Sequence, residues 1–392
     1  MRLAFSTGEF VYAGLPRPGF PLIIDDDMGP AQPFHSYLRS RLLEQGTLLD
    51  PKTWEAYGRR LWDFARFLQA NELVWNQPFD TEGSSVVRRY RDWQMMDLAL
   101  RPTTVNARLR LVADFYLWAW ERALIDRLPF KQQDTTRYGV ESDLSHITGG
   151  RCVSSRPDVL VDEWDEEPAF LTSEQIRISR ASIRSTSQRL LFDLMCRVGL
   201  RSEEARTFPR AYAFDPAARP DLKPGTLIDV RLDPKDMDIK LGKPRVVHVP
   251  YSLMEELYAY ACFERNVRLK PHDQQAALVL TAFGNPYSKE SAVKVMVDLS
   301  RKVGFRVRPL MLRHSYAIYT LLLLRAHPEV KIEPLIYVRD RLGHRSVQTT
   351  MIYLRQIERL LGAETLSMIA EFDRIYDVAP ALRAYQAGLQ PT

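Results

Sequence analysis

From Pro51 to Leu68 apolar side chains return every three or four residues, as Trp54, Tyr57, Leu61, Phe64 and Leu68. That interval is the period of one helix face, and Asp50 followed by Pro51 is a start signal. The same period runs through VVRRYRDWQMMDLAL and TTVNARLRLVADFYLWAWERALI, with SYLRSRLLEQ ahead of them. Four such faces can leave water only by packing on one another, which predicts a small helical bundle from His35 to about Asp126. Trp54, Trp62, Trp75, Trp93, Trp118 and Trp120 fall inside it and are read mainly as core.

At 392 residues the chain is too long for one ordinary domain and suits two. Residues 1–33, as in GLPRPGFPLIIDDDMGPAQP, lack periodicity and read as an arm; 34–130 hold the bundle. Residues 131–168 are polar, acidic toward the end and aperiodic, and read as a linker that lets one domain move over a ligand. The second domain, 169–376, opens at LTSEQIRI, where Thr172 and Gln175 have capping-box spacing; residues 377–392 are a tail. Its strand-like runs are confined to TLIDVRL, MDIKL and RVVHVP, the last two joined like a hairpin at LGKP. The class is therefore mainly α with a small antiparallel β-sheet. No segment approaches the roughly 18 apolar residues of a membrane span, and the N-terminus does not read as a secretory signal, so a cytoplasmic, nucleoid-associated location is expected. Cys152, Cys196 and Cys262 lie far apart and support neither a disulfide framework nor a zinc site. A net charge of +5 fits an anionic partner without requiring one.

Several polar residues stand out against this background. Thr103, Thr104, Asn106, Arg108 and Arg110 crowd the start of the last bundle helix; hydroxyls, amides and guanidiniums are what phosphates and base edges accept from proteins, although a solvated helix face uses the same residues. In CRVGLRSEEARTF, Gly199 ends one helix and Arg201 starts the next, beside Glu203 and Glu204, which suit a helix N-terminus. Lys240 and Lys243 flank a tight turn, with Arg245 just beyond; a lysine there can reach a phosphate or simply keep an edge strand soluble. Arg313 heads the apolar helix RPLMLRHSYAIYTLLLL, opened by Pro309. A buried guanidinium must be answered by a carboxylate or a phosphate.

The motifs GLRSEE, KLGK, LRHSYA and LGHRSVQTTMIY stand in the order and at the approximate distances of the tyrosine recombinase, or phage integrase, family, and the chain resembles it from about Leu171 to Leu361. The helical first domain resembles that family's core-binding domain. On this resemblance Arg201 matches the first arginine, Lys240 the hairpin lysine, Arg313 the second arginine, His344 the late histidine and Tyr353 the nucleophile; Lys243 is a rival to Lys240. The resemblance implies a site-specific recombinase that cuts and rejoins double-stranded DNA through a 3′-phosphotyrosyl linkage, without metal or nucleotide cofactor, as a tetramer on two DNA sites. It would serve integration or excision of mobile DNA. Thr103, Thr104, Asn106, Arg108, Lys243 and Arg245 are the expected DNA contacts, and the segment after Tyr353, with Leu366, Ile369, Ala370 and Phe372, would pack on a neighbouring protomer or on its own domain.

The chemistry explains why these residues belong together. Two arginines neutralise charge on the nonbridging oxygens of a phosphodiester, and a phenol with an ordinary pKa near 10 needs a proton acceptor to attack it. One member is missing: where the family often has histidine three residues before the second arginine, this chain has Leu310, which cannot take a proton. His314, about 100° round the helix from Arg313, reads as a poor replacement, and Arg308 could supply only charge. Two other readings use the same residues. A DNA-binding protein of recombinase ancestry that has lost catalysis would bind DNA and form no adduct, and a type IB topoisomerase would relax supercoils without a defined site.

Overall fold

The computed structural model describes residues 1–45, 51–79, 83–137, 152–163, 167–269, 275–327, 329, 331–344 and 346–360. It divides into two compact units, Met1–Asp165 and Glu166–Thr392. Asp50, the stretches 138–151 and 164–166, and the segment bearing Leu366, Ile369, Ala370 and Phe372 lie outside the described residues. Among the described residues no helix is long and apolar enough to cross a membrane.

The first unit begins with strands β1 (Arg2–Phe5), β2 (Val11–Tyr12), β3 (Leu15–Pro16) and β4 (Pro21–Ile24), paired antiparallel as β1–β4 and β2–β3. Helices α1 (Phe34–Arg39), α2 (Pro51–Ala70), α3 (Val86–Met96) and α4 (Pro102–Glu121) follow and, among the described residues, match the four expected. The apolar stripe of α2 is buried as read, with Leu61 and Phe64 fully enclosed and Trp54 nearly so. Trp120 departs from the core reading: it is half exposed. Residues 1–33 are also more than an arm. Phe20 and Ile23 are fully buried in the same core, so β1 and β4 pack on α2; strands this short carry too few residues for a period to show.

The described ends of the expected linker pair as β5 (Gln132–Arg137) and β6 (Cys152–Pro157), with Gln132 opposite Pro157 and Arg137 opposite Cys152. Beyond them Val159 is buried in the first unit's core and the chain runs back along α4. That return settles what Asn106 does. Its amide donates to the Val161 carbonyl and the Glu163 carboxylate at 2.7 Å each, and its oxygen accepts the Val161 N–H at 2.9 Å. Asn106 is fully buried, so its polar atoms are spent inside the protein rather than offered to a ligand. Arg108 is held by Asp63 at 2.6 Å. Thr103 and Thr104 are exposed.

The second unit opens with α5 (Ser173–Ser182), whose capping box is formed as expected: Thr172 Oγ1 accepts from Gln175 N, and Gln175 Oε1 from Thr172 N. Helix α6 (Thr186–Arg197) turns through Gly199 into α7 (Ser202–Arg206). Strands β7 (Leu227–Leu232) and β8 (Arg245–Pro250) form an antiparallel pair, with Leu227 opposite Pro250 and Leu232 opposite Arg245. Then come α8 (Tyr251–Cys262), α9 (Glu264–Arg268), α10 (Lys289–Val303), α11 (Pro309–Ala326), α12 (Pro334–Leu342) and α13 (Gln348–Leu360). Helix α11 is the axis of the unit, packing on α6, α12 and α13.

The run MDIKL is not a strand. Met237 is buried in the core and the Asp238 N–H donates to Thr207 Oγ1 at 3.1 Å, which ties this segment to the end of α7 instead of to β8. Lys240 therefore sits on a short 3-10 turn, Lys240–Gly242, in the connection between β7 and β8, and both Lys240 and Lys243 are exposed there.

Gly199 is tightly constrained. Its φ is +75°, and a Cβ placed on it would meet the Tyr316 ring at 2.4 Å. Gly199→Ala is expected to cost about 2–4 kcal/mol, left-handed strain added to overpacking. Gly304, at φ +78° with open space around it, provides the comparison: Gly304→Ala should cost only about 1 kcal/mol. Urea midpoints measure both, and equal losses would contradict the close approach of Tyr316.

Candidate active site

The site assembles in the second unit where the end of α6, the head of α11, the end of α12 and the body of α13 meet. Glu204, fully buried in the first turn of α7, is its hub. Its carboxylate accepts the Arg201 backbone N–H at 2.8 Å and Arg201 Nη1 at 3.0 Å. Arg245 reaches it from β8 with two parallel bonds, Nη1 at 2.9 Å and Nη2 at 2.6 Å, and Arg313 Nη1 lies 3.9 Å away. Three guanidiniums thus face one carboxylate. The cluster keeps a net positive charge, the condition for drawing in an anion.

Arg313 is the most enclosed of them, 3% exposed. The sequence demands a carboxylate or a phosphate for it; Glu204 is that carboxylate, at 3.9 Å, and the guanidinium also donates to the Gly199 carbonyl at 2.6 Å and to the Leu342 carbonyl. Two glycines in left-handed conformation place these acceptors: Gly199, and Gly343 at φ +64°, which ends α12 and whose own carbonyl accepts Arg201 Nη2 at 3.4 Å. Burial first, then the neighbouring Arg201 charge, pushes the Arg313 guanidinium down to about 9, against the pull of Glu204. Even so it is charged at neutral pH, and an anion would relieve it.

Tyr353 is 1% exposed on α13 and packs among Ala317, Ile318, Leu321, Val338, Leu342 and Ile357. Burial raises its pKa, while the charges of Arg313 and Arg201 act to lower it. Its hydroxyl is 2.9 Å from His314 Nδ1. This corrects the sequence reading, which measures His314 only against Arg313. His314, Ala317, Ile318 and Leu321 form one face of α11, and α13 lies on that face; Arg313 works from the neighbouring face. Burial, and then Arg313, pushes His314 down to about 4, so it is neutral at pH 7.

His344, just past α12, stacks on Tyr353 with ring centroids 6.3 Å apart and planes 23° from parallel. Its Nδ1 is engaged by Thr350 Oγ1 at 3.0 Å, and burial with the Arg313 and Arg201 charges pushes it down to about 3. Leu310 is 61% exposed at the head of α11 and fills no place in the cluster. Of the expected site residues, Arg201, Arg313, His344 and Tyr353 are brought together. Arg245, expected at DNA, is bound to Glu204 and the Arg341 carbonyl, a scaffold for the arginines rather than an outward contact. Sequence reasoning misses Glu204 as a hub and His314 as the tyrosine's partner. Among the described residues no group of three or more His, Cys, Asp or Glu side chains is placed to hold a metal.

This arrangement can be set beside known proteins. The chain is 36% identical over 116 residues to the tyrosine recombinase XerD of Mycobacterium tuberculosis, covering 29% of this chain and 35% of that one. It is 30% identical over 127 residues to transposase A of transposon Tn554 from Staphylococcus aureus, covering 31% and 33%. Over these stretches the chain is similar to a tyrosine recombinase and a transposase. The fold agrees. The XerH site-specific recombinase bound to palindromic difH substrate superposes with a TM-score of 0.55 at 18% identity, covering 85% of each chain. A lambda integrase dimer bound to a COC′ core site superposes with a TM-score of 0.52 at 12% identity, covering 82% of this chain and 93% of that one. The sequence matches to the curated relatives span about a third of their length, and no family model matches the chain.

Proposed function

We propose that the chain is a site-specific DNA recombinase, cutting and rejoining strands of double-stranded DNA through a 3′-phosphotyrosyl intermediate, in the integration or excision of mobile DNA. The observation that carries this reading is the cluster itself: three guanidiniums sharing one buried carboxylate, beside an enclosed tyrosine whose hydroxyl is held by a neutral histidine. The names of the relatives, recombinases and a transposase, point the same way.

The chemistry follows from the charges. A phosphodiester entering the cluster meets Arg201 and Arg313, which neutralise the charge that builds on its nonbridging oxygens as a fifth oxygen approaches phosphorus. Tyr353 Oη bonds to phosphorus, the P–O5′ bond breaks with its electron pair leaving on O5′, and that oxygen takes a proton. Lys240, exposed on its turn in the β7–β8 connection, is the proposed donor, with Lys243 its rival. His344, stacked on the tyrosine, can hydrogen-bond to the phosphate. The phosphotyrosine stores the energy of the broken bond, so resealing needs no nucleotide. Thr103 and Thr104, exposed at the head of α4, are proposed contacts to the duplex backbone, and four protomers on two DNA sites are the proposed assembly.

The test is a duplex with the sequences flanking the gene, nicked close to the cut so that the released fragment diffuses away. Wild type is expected to accumulate an SDS-resistant protein–DNA adduct, in EDTA and without ATP, and the nucleotide-bearing peptide should contain residue 353. Binding without any adduct would overturn the proposal and leave the DNA-binding protein of recombinase ancestry.

A further inference from the structure

Resting on that reading, we infer that His314 is the proton acceptor for Tyr353, in the place that Leu310 leaves empty. Three observations carry it. The Nδ1 of His314 lies 2.9 Å from the tyrosine hydroxyl, within the range of a proton-transfer contact. The other imidazole near Tyr353 is committed elsewhere, since His344 offers its ring face and has Nδ1 occupied by Thr350. Leu310 has no basic atom and faces solvent. Among the described residues, His314 is the basic group that touches the reacting oxygen.

The groups around it define when it can work. Arg313 on its own helix lowers its proton affinity, and His344 from the end of α12 and Tyr353 from α13 are the titratable groups facing it. In the free protein the imidazole is neutral and able to accept, yet too weak a base to strip a phenol. Two changes on DNA binding close that gap. The phosphate brings negative charge next to Arg313, which offsets the field that weakens the imidazole, and the phenol oxygen becomes acidic as its bond to phosphorus forms. The proton then passes from Oη to Nδ1, the P–O5′ bond breaks, and O5′ leaves with the electron pair and is protonated from the lysine turn. In rejoining, the 5′-hydroxyl returns its proton to the lysine turn as its oxygen bonds to phosphorus, the P–Oη bond breaks with its electron pair leaving on Oη, and the imidazolium returns its proton to that oxygen.

Two substitutions separate a base from a structural bond. His314→Asn keeps a polar side chain that can hydrogen-bond to the tyrosine hydroxyl but has no basic nitrogen, and His314→Ala removes both. On the nicked duplex both are expected to form adduct about 10²–10³-fold more slowly than wild type, with the deficit narrowing as pH is raised toward the tyrosine's own range. A second substrate carries sulfur in place of the bridging 5′-oxygen, a leaving group that needs no proton. It should restore Lys240→Ala, or Lys243→Ala if that lysine is the donor, and leave both His314 variants slow. Wild-type rates in His314→Asn would reduce the contact to a structural one and overturn the inference. Faster cleavage in His314→Ala would make the contact a restraint on the tyrosine and overturn it as well. If wild type forms no adduct, the recombinase reading falls first and this role falls with it, an outcome distinct from active wild type with unaffected variants.

Discussion

Glu204→Ala is expected to destabilise the second unit by about 3–5 kcal/mol, the usual cost of removing one partner from a buried ionic network. The reason is the count of charges. Arg201, Arg245 and Arg313 converge on this carboxylate, which is fully buried, and without it three guanidiniums face one another with only carbonyls between them. The carboxyl's own titration gives an independent check. Burial alone would raise its pKa, but the hydrogen bonds and charge of Arg245, the charge of Arg313 and the Arg201 backbone N–H hold it down to about 2. A depressed carboxyl contributes stability above its unfolded pKa and loses it as pH falls through the folded value. From the ordinary 4.5 to about 2, at 1.36 kcal/mol per unit, that contribution is about 3 kcal/mol. Glu204→Gln lacks it, so the stability gap between wild type and Glu204→Gln should shrink as pH drops from about 5 to about 2. Denaturant melts across that range measure it, and a gap that stays constant with pH would remove Glu204 from its place as hub.

That hub shows where sequence reasoning reaches and where it stops. The order GLRSEE, LRHSYA, LGHRSVQTTMIY groups Arg201, Arg313, His344 and Tyr353 only through its resemblance to the tyrosine recombinase family; local signals, a glycine ending a helix and a proline opening one, do no more than place residues on their elements. Glu203 and Glu204 look alike as helix-start carboxylates. Only the return of β8 beside α7, delivering Arg245, distinguishes the buried one. Comparison with Arg313 on the same helix makes His314 look misplaced, although the spacing 314, 317, 318, 321 already marks the face that another helix would cover. Which helix covers it is long-range information. The same limit hides the fate of the third strand-like run: MDIKL has strand composition, and it is Met237 entering the core and Asp238 bonding Thr207 that pull it off the ladder. Asn106 and Arg108 read as ligand contacts for a related reason, since their partners Val161, Glu163 and Asp63 lie elsewhere in the chain.

Tyr353→Phe is expected to form no adduct at any pH while still binding the duplex, since it removes the one oxygen that would attack phosphorus and leaves the arginine cluster in place. Stability should fall by only about 1–2 kcal/mol, the cost of leaving a buried acceptor such as His314 Nδ1 without a donor. The competing outcome is specific, because the unit holds a second pair of this kind. Tyr337 on α12 is hydrogen-bonded to His248 Nδ1, with Arg341 stacked 5.3 Å over its ring. Were Tyr337 the nucleophile, Tyr353→Phe would keep its adduct and Tyr337→Phe would lose it. Charge decides against that. The fields of Arg313 and Arg201 act on Tyr353, whereas Tyr337 has Arg341 as its cation and the Asp229 carboxylate acting against it, and Arg341 is itself tied to the Val246 carbonyl at 2.7 Å. A phosphate needs more than one positive group to make it attackable, and of these two tyrosines only Tyr353 lies beside a cluster with more guanidiniums than carboxylates. Mapping the adduct peptide in wild type, Tyr353→Phe and Tyr337→Phe therefore tests whether the surplus of positive charge, rather than the tyrosine–histidine contact alone, selects the nucleophile.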